Sequence, residues 1–151
     1  LRENIAFYTP HVSDDQVLKA IHVVGLDDLL ADLPAGLDTV IGSGRRVLSG
    51  GQAQRIALAR AFLDQDRRVM IFDEPTAHLD IETEMDLKAR MLPLMANRLV
   101  FFATHRLHWM KQMDYILVMD HGALVEQGTY DELTSKNGYF MRLMKEMRGE
   151  K

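Results

Sequence analysis

An α/β fold built on a parallel sheet is what this sequence predicts, on three observations. Residues 69–72 (VMIF), 99–103 (LVFFA) and 115–119 (YILVM) are apolar runs too short for amphipathic helices. Their uniform apolarity matches strands buried on both faces. Stretches with helical spacing separate them, giving the βαβ alternation of that class. With 151 residues, 47% hydrophobic and 26% charged, the balance is that of one globular domain.

The elements follow in order. "LRENIAFYTP" opens without methionine and reads as the middle of something longer. Ser13 and Gln16 have capping-box spacing, and Val17, Ala20, Ile21 and Val24 continue a helix to Gly25. "LDDLLADL" predicts a second short helix stopped before Pro34, and "PAGLDTVIGSGRR" a loop. Ser49 and Gln52 repeat the capping box, with Ile56, Ala59 and Leu63 on one helical face. After the first strand, "IETEMDLKARMLPLM" predicts a helix interrupted near Pro93, and "LHWMKQM" a short one. "ALVEQG" is expected to pair back antiparallel through the tight turn at Asp120-His-Gly. Thr129 and Glu132 form a third capping box before a closing helix, which reads as a complete C-terminus on a truncated N-terminus.

Composition excludes several classes. There is no cysteine, hence no disulfide scaffold and no thiolate metal site. Net charge is −4 with no basic run, which argues against nucleic acid as the main partner. No run is long and apolar enough to cross a bilayer. Ten methionines is a high count, and Met110, Met113, Met141, Met144 and Met147 fall at near-helical spacing. A flexible core seam accounts for them better than a metal or peptide-binding surface. His11, His22, His78, His108 and His121 show no ligand spacing and are assigned to no metal.

The chemistry concentrates in two places. Asp73 and Glu74 end the first strand, placing two carboxylates at the C-terminal edge of a parallel sheet, where such sheets bind ligands. Asp73 suits a Mg²⁺ shell and Glu74 the activation of a water. An isolated Asp-Glu pair is more often a solvated strand end. Here Asp80 stands six residues beyond Glu74, and His105 lies just past the next strand, placed to donate to a phosphate oxygen. In "LSGGQ", Ser49 caps a helix while Gly50 and Gly51 lack Cβ atoms, so backbone N–H groups and the helix dipole there suit an anion. A plain glycine loop before a helix is the alternative for that motif alone.

Together these motifs resemble the nucleotide-binding domain of the ATP-binding cassette (ABC) superfamily. "LSGGQ" with "QRIALARA" is similar to its signature motif and helix, "VMIFDEP" to Walker B with the catalytic glutamate, "AHLD" to the D-loop and "ATHRL" to the switch-histidine segment. "LRENI", "LPAGLDTVIG" and the closing segment look like exporters with fused membrane domains. "LSGGQAQRIALARAF" and "DEPTAHLD" further resemble the bacterial thiol exporters of cytochrome bd assembly, which export cysteine and glutathione. One departure is Ser43, where many exporters carry glutamate in the loop facing the membrane domain.

The resemblance implies a P-loop NTPase-like sheet plus a helical signature subdomain, about 1–64, ahead of part of the catalytic core, about 65–151. It implies ATP and Mg²⁺, a second nucleotide-binding domain as homo- or heterodimer partner, and a place on the cytoplasmic face of a bacterial inner membrane. In it Asp73 helps hold Mg²⁺, Glu74 is the general base and His105 contacts the γ-phosphate. Asp80 communicates across the interface, and Ser49, Gly50, Gly51 and Gln52 bind the partner's nucleotide. A Walker A loop needs Gly-Lys, and no such dipeptide occurs here. The expectation is therefore a sheet lacking its Walker A strand, and a fragment that is a poor monomer, swapping, associating through unpaired edges or rearranging, and that does not hydrolyse ATP alone. A soluble ABC ATPase and a non-catalytic dimerisation module are the rival readings.

Overall fold

In the computed structural model, residues 1–7, 9–42, 47–64 and 66–149 are described. They form two compact units, Leu1–Ala103 and Thr104–Lys151. Ser43 and the rest of "SGRR" lie outside the described residues, as do the last two positions of the chain.

The first unit sets five α-helices and a parallel strand pair around one core. Helix α1 spans Arg2–Ala6, α2 Asp14–Val23, α3 Asp27–Ala31, α4 Gly50–Leu63 and α5 Ile81–Met95. Strands β1 (Val69–Asp73) and β2 (Leu99–Ala103) run parallel, with Val69 opposite Leu99 and Asp73 opposite Ala103. The α2 start is a full capping box: Ser13 Oγ accepts from the Gln16 N–H, and Gln16 Oε1 accepts from the Ser13 N–H at 2.9 Å. Val17, Ala20 and Ile21 of α2 meet Ile56, Ala59 and Leu63 of α4 in the core, with Ile5 of α1 fully buried beside them. Each valine, isoleucine or leucine among them contributes about 1.5–3 kcal/mol by leaving water.

Two expectations need correction. Helix α5 is not interrupted at Pro93 but runs through it to Met95. The proline lies in the last turn, where only the Ala89 carbonyl loses its partner, and the buried Leu87, Met91 and Met95 hold that face on the core. Nor are the strands buried on both faces. Met70 and Phe72 point into the core, the Phe72 ring 5.8 Å from those of both Phe62 and Phe102. Ile71 and Phe101, in register on the other face, are 76% and 53% exposed. Apolar composition records a preference for burial, and among the described residues that face has no cover.

The second unit is a hairpin with three helices. Strands β3 (Ile116–Asp120) and β4 (Ala123–Gly128) pair antiparallel as expected, with a bulge after Val118. His121 (φ 44°) and Gly122 (φ 79°) are both left-handed, the conformation a two-residue hairpin turn requires. Helices α6 (Leu107–Met110), α7 (Tyr130–Ser135) and α8 (Tyr139–Arg148) complete it. Ile116, Val118, Leu133, Phe140 and Met144 form the core, with Met110 and Met113 packed against it, so three of the five spaced methionines do serve a core seam. The Glu126 carboxylate accepts from the Phe140 N–H at 2.7 Å at the head of α8. A Cβ on Gly138 would lie 2.1 Å from that same carboxylate, which explains the glycine.

Candidate functional site

The first unit brings the β1 end and the α4 start to one place. Asp73 closes β1 with its side chain exposed, and the chain then turns through residues 74–79 into α5. Glu74 sits in the left-handed region at φ 43°, a conformation that costs a β-carbon-bearing residue energy unless its surroundings impose it. They do. Its N–H donates to the Ala103 carbonyl at 2.9 Å, anchoring it to the end of β2. Its carbonyl accepts from Gln54 Nε2 at 2.9 Å and from the Ala77 N–H at 3.2 Å.

Helix α4 faces that turn with its first two residues. Ser49 caps it, Oγ accepting from the Gln52 N–H at 3.1 Å while Gln52 Oε1 accepts from the Ser49 N–H at 3.0 Å. The Gln52 side chain is thereby held in the cap. The two glycines differ in surroundings. A Cβ on Gly51 would lie 3.1 Å from Leu79 Cδ2 and 3.2 Å from the His78 carbonyl oxygen, so this glycine is required by packing inside the chain. A Cβ on Gly50 would meet nothing closer than 3.9 Å, the His78 ring carbons. Internal packing leaves Gly50 without a reason to be glycine.

Asp80 is the N-cap of α5. Its carboxylate accepts from the Thr83 N–H at 2.9 Å and the Thr83 hydroxyl at 2.7 Å. Those bonds hold its carboxyl below the usual carboxylate range. Behind the turn, the buried Thr76 hydroxyl donates to Glu84, which is fully buried on α5. Lys88, one turn along and also buried, has its pKa pulled down by desolvation and partly restored by Glu84.

Among the described residues, no group of three or more acidic or histidine side chains could hold a metal ion. Asp73 alone is a hard oxygen donor on an exposed strand edge. A single carboxylate fits Mg²⁺ delivered on a nucleotide, since that ion keeps waters and takes one or two carboxylates plus phosphate oxygens. His105 belongs to the second unit, exposed between β2 and α6, at the rim of an open cleft of about 660 Å³ with Arg106, His108, Lys111 and Tyr130.

Gln54 was not singled out from sequence, yet it is the side chain that ties α4 to the Glu74 turn. Besides its bond to the Glu74 carbonyl, its Oε1 accepts from the His78 N–H at 3.0 Å. The available signal was spacing: Gln54 is four residues after Gly50 and three after Gly51, hence on their face of the helix.

Comparison with known proteins supplies the family. The family model for the ABC transporter matches residues 1–77. The glutathione/L-cysteine transport system ATP-binding/permease protein CydC of Bacillus subtilis (strain 168) is 53% identical over 151 residues, covering all of this chain and 26% of the relative. The beta-(1-->2)glucan export ATP-binding/permease protein NdvA of Agrobacterium vitis is 38% identical, covering 95% of this chain and 24% of the relative. The structure of a bacterial Atm1-family ABC exporter with ATP bound superposes with a TM-score of 0.84 at 35% identity, over 96% of this chain and 25% of that one. The chain thus spans about a quarter of the length of the curated relatives it matches. With half of its residues on the family model and its fold on that of an exporter, the chain belongs to the ABC transporter family.

Proposed function

We propose that this chain is part of the ATP-binding and ATP-hydrolysing motor of an ABC exporter. The observation that carries the reading is the Asp73-Glu74 pair at the end of β1, with Glu74 locked in a left-handed conformation beside the capped, glycine-headed α4. Glu74 acts as general base on the water that attacks the γ-phosphate, and Asp73 helps hold Mg²⁺, which neutralises charge on the phosphate oxygens. Ser49, Gly50, Gly51 and Gln52 receive the phosphates of an ATP held by a second nucleotide-binding domain, using α4's leading N–H groups and dipole. His105 contacts the γ-phosphate, and Asp80 lies at the interface between the two domains.

The reading extends to the full-length protein. The exposed apolar face of β1 and β2 supports a covering layer supplied by further chain, and the two-stranded β1–β2 sheet leaves outer edges for added strands, the phosphate-cradling loop among that added chain. Fused membrane-spanning segments place the motor on the cytoplasmic face of a bacterial membrane; no helix among the described residues is long and apolar enough to cross one. A thiol solute such as cysteine or glutathione is the proposed cargo, supported by similarity to two CydC proteins, at 53% and 40% identity.

The test is Glu74→Gln in the full-length protein. ATP binding should persist while hydrolysis falls by about 10²–10⁴-fold, the usual contribution of a positioned base. Parental turnover would remove Glu74 from that role. Uptake of labelled glutathione into inverted vesicles tests the cargo, and no ATP-dependent uptake of it or of cysteine would reject a thiol.

A further inference from the structure

We propose that Gln54 is a positioning residue: it fixes the backbone of Glu74 and couples that residue to the α4 terminus where Ser49, Gly50 and Gly51 stand. The inference rests on Glu74 being the general base.

The geometry is a two-point clamp. Gln54 projects from α4 and uses both ends of its amide, Nε2 donating to the Glu74 carbonyl at 2.9 Å and Oε1 accepting from the His78 N–H at 3.0 Å. The two contacts bracket the turn that reverses the chain between β1 and α5. One side-chain amide thus satisfies a carbonyl and an N–H four residues apart, which neither a carboxylate nor an ammonium could do, the first having no donor and the second no acceptor. Gly51, one helical turn above Gln54, lets α4 approach the same segment closely, its missing Cβ facing the His78 carbonyl and Leu79. From the opposite side Thr76 is bonded to the buried Glu84 of α5. The turn is therefore gripped by α4 through Gln54 and by α5 through Glu84.

The consequence is mechanical. Glu74 holds a left-handed conformation, and Gln54 is one of the contacts that impose it. Displacement of the α4 terminus by an arriving phosphate moves Gln54 with the helix, and Gln54 moves Glu74 and His78. An anion bound at Gly50 and Gly51 thereby sets the position of a base serving a different nucleotide.

The experiment uses the full-length protein with Gln54→Ala and Gln54→Glu, alongside Glu74→Gln. In Gln54→Ala, amide exchange of the peptide covering residues 75–80 should quicken at least tenfold at His78. The kcat for ATP should fall about tenfold while ATP affinity stays within threefold. Gln54→Glu, which lacks the donor while ionised, should resemble Gln54→Ala at pH 8. An ordinary glutamate titrates near about 4.3, so the carboxylate stays ionised at pH 6 as at pH 8, and kcat relative to the parent should stay low at both. Unchanged exchange at His78, or parental kcat in Gln54→Ala, would overturn the proposal. Should Gln54→Ala not fold, Gln54→Glu decides: a kcat about tenfold below the parent with ATP affinity within threefold supports the clamp, and a parental kcat rejects it. If Glu74→Gln is inactive while Gln54→Ala is parental, the clamp alone fails; if Glu74→Gln turns over normally, the reading of Glu74 fails instead.

Discussion

Alanine at Gly50 and at Gly51 separates packing from ligand approach, because the two residues are neighbours in the first turn of one helix yet face different things. At Gly51 the new methyl would sit 3.1 Å from Leu79 Cδ2 and 3.2 Å from the His78 carbonyl oxygen. Leu79 could rotate, but the carbonyl is main chain in a turn held by Gln54, so the turn itself must shift. Overpacking of that kind costs about 1–3 kcal/mol. At Gly50 the nearest atoms are at 3.9 Å, which is ordinary contact and costs nothing. Both substitutions gain helix propensity of up to about 1 kcal/mol, and that gain cancels when the two variants are compared. Gly51→Ala should therefore be about 1–3 kcal/mol less stable than Gly50→Ala, which should equal or exceed the parent. Pulse proteolysis of the full-length protein across a urea series, read at residues 49–80, measures the difference. ATP turnover should show a separate pattern. If α4's first amides receive a phosphate, the Gly50 methyl blocks its approach and turnover falls about 10²-fold although the protein is stable, as for other small displacements at a reacting centre. Equal stabilities would refute the packing argument, and full turnover in Gly50→Ala would refute phosphate approach at that residue.

Further predictions concern stability. Thr76→Val removes the hydroxyl that bonds the fully buried Glu84 and should cost about 1–3 kcal/mol by urea denaturation; an effect under a few tenths would mean the hydroxyl does not support that carboxylate. Ser13→Ala deletes the α2 cap and should cost about 1 kcal/mol in the same assay, with no change in ATP turnover. Asp80 has a depressed folded-state pKa, so its stabilisation is full above the ordinary value near about 4 and is lost as pH falls through the folded value. Asp80→Asn keeps an acceptor for the Thr83 N–H but does not titrate, so thermal unfolding should show the parent losing ground to it below about pH 4. Trp109, the sole tryptophan and fully buried, should report the second unit alone, and Trp109→Ala should destabilise that unit by about 3–5 kcal/mol in hydrogen exchange.

What could be read from the sequence was what is local. The capping boxes at Ser13, Ser49 and Thr129 need only residues three apart, and all three form. The Asp73-Glu74 edge and the Asp120-His-Gly-Ala hairpin turn are short patterns whose geometry follows from strand ends and turn chemistry. Helix α1 was not expected, because five residues carry too little periodicity; its place is set by Ile5 burying against α4 some fifty residues away. Pro93 misled for the same reason: its cost depends on what holds Leu87, Met91 and Met95, which is tertiary. Gln52 was legible because its cap partner Ser49 is three residues away, whereas the partner of Gln54 is Glu74, twenty residues on, and spacing within the helix cannot say what its face meets.

Among the described residues, four other than glycine have positive φ: His11, Glu74, Asn97 and His121. Asparagine and histidine tolerate the left-handed region better than most, and two of these have plain duties, Asn97 after the end of α5 and His121 in the β3–β4 turn. Glu74 has neither excuse. A glycine would relieve about 1–3 kcal/mol of backbone strain there, and local preference alone favours one. The chain instead carries a carboxylate and surrounds its backbone with bonds from three directions: a β2 carbonyl, the turn's own Ala77 N–H and the amide of Gln54. None of those bonds involves the carboxylate, so each would form equally well around glycine. The side chain is thus the one part of residue 74 that this backbone support leaves unexplained. A strained conformation kept at a residue whose backbone would suit glycine is what a carboxylate selected for chemistry at the strand edge predicts, and Glu74→Gly, with its backbone bonds kept and ATP turnover lost, is the variant that checks it.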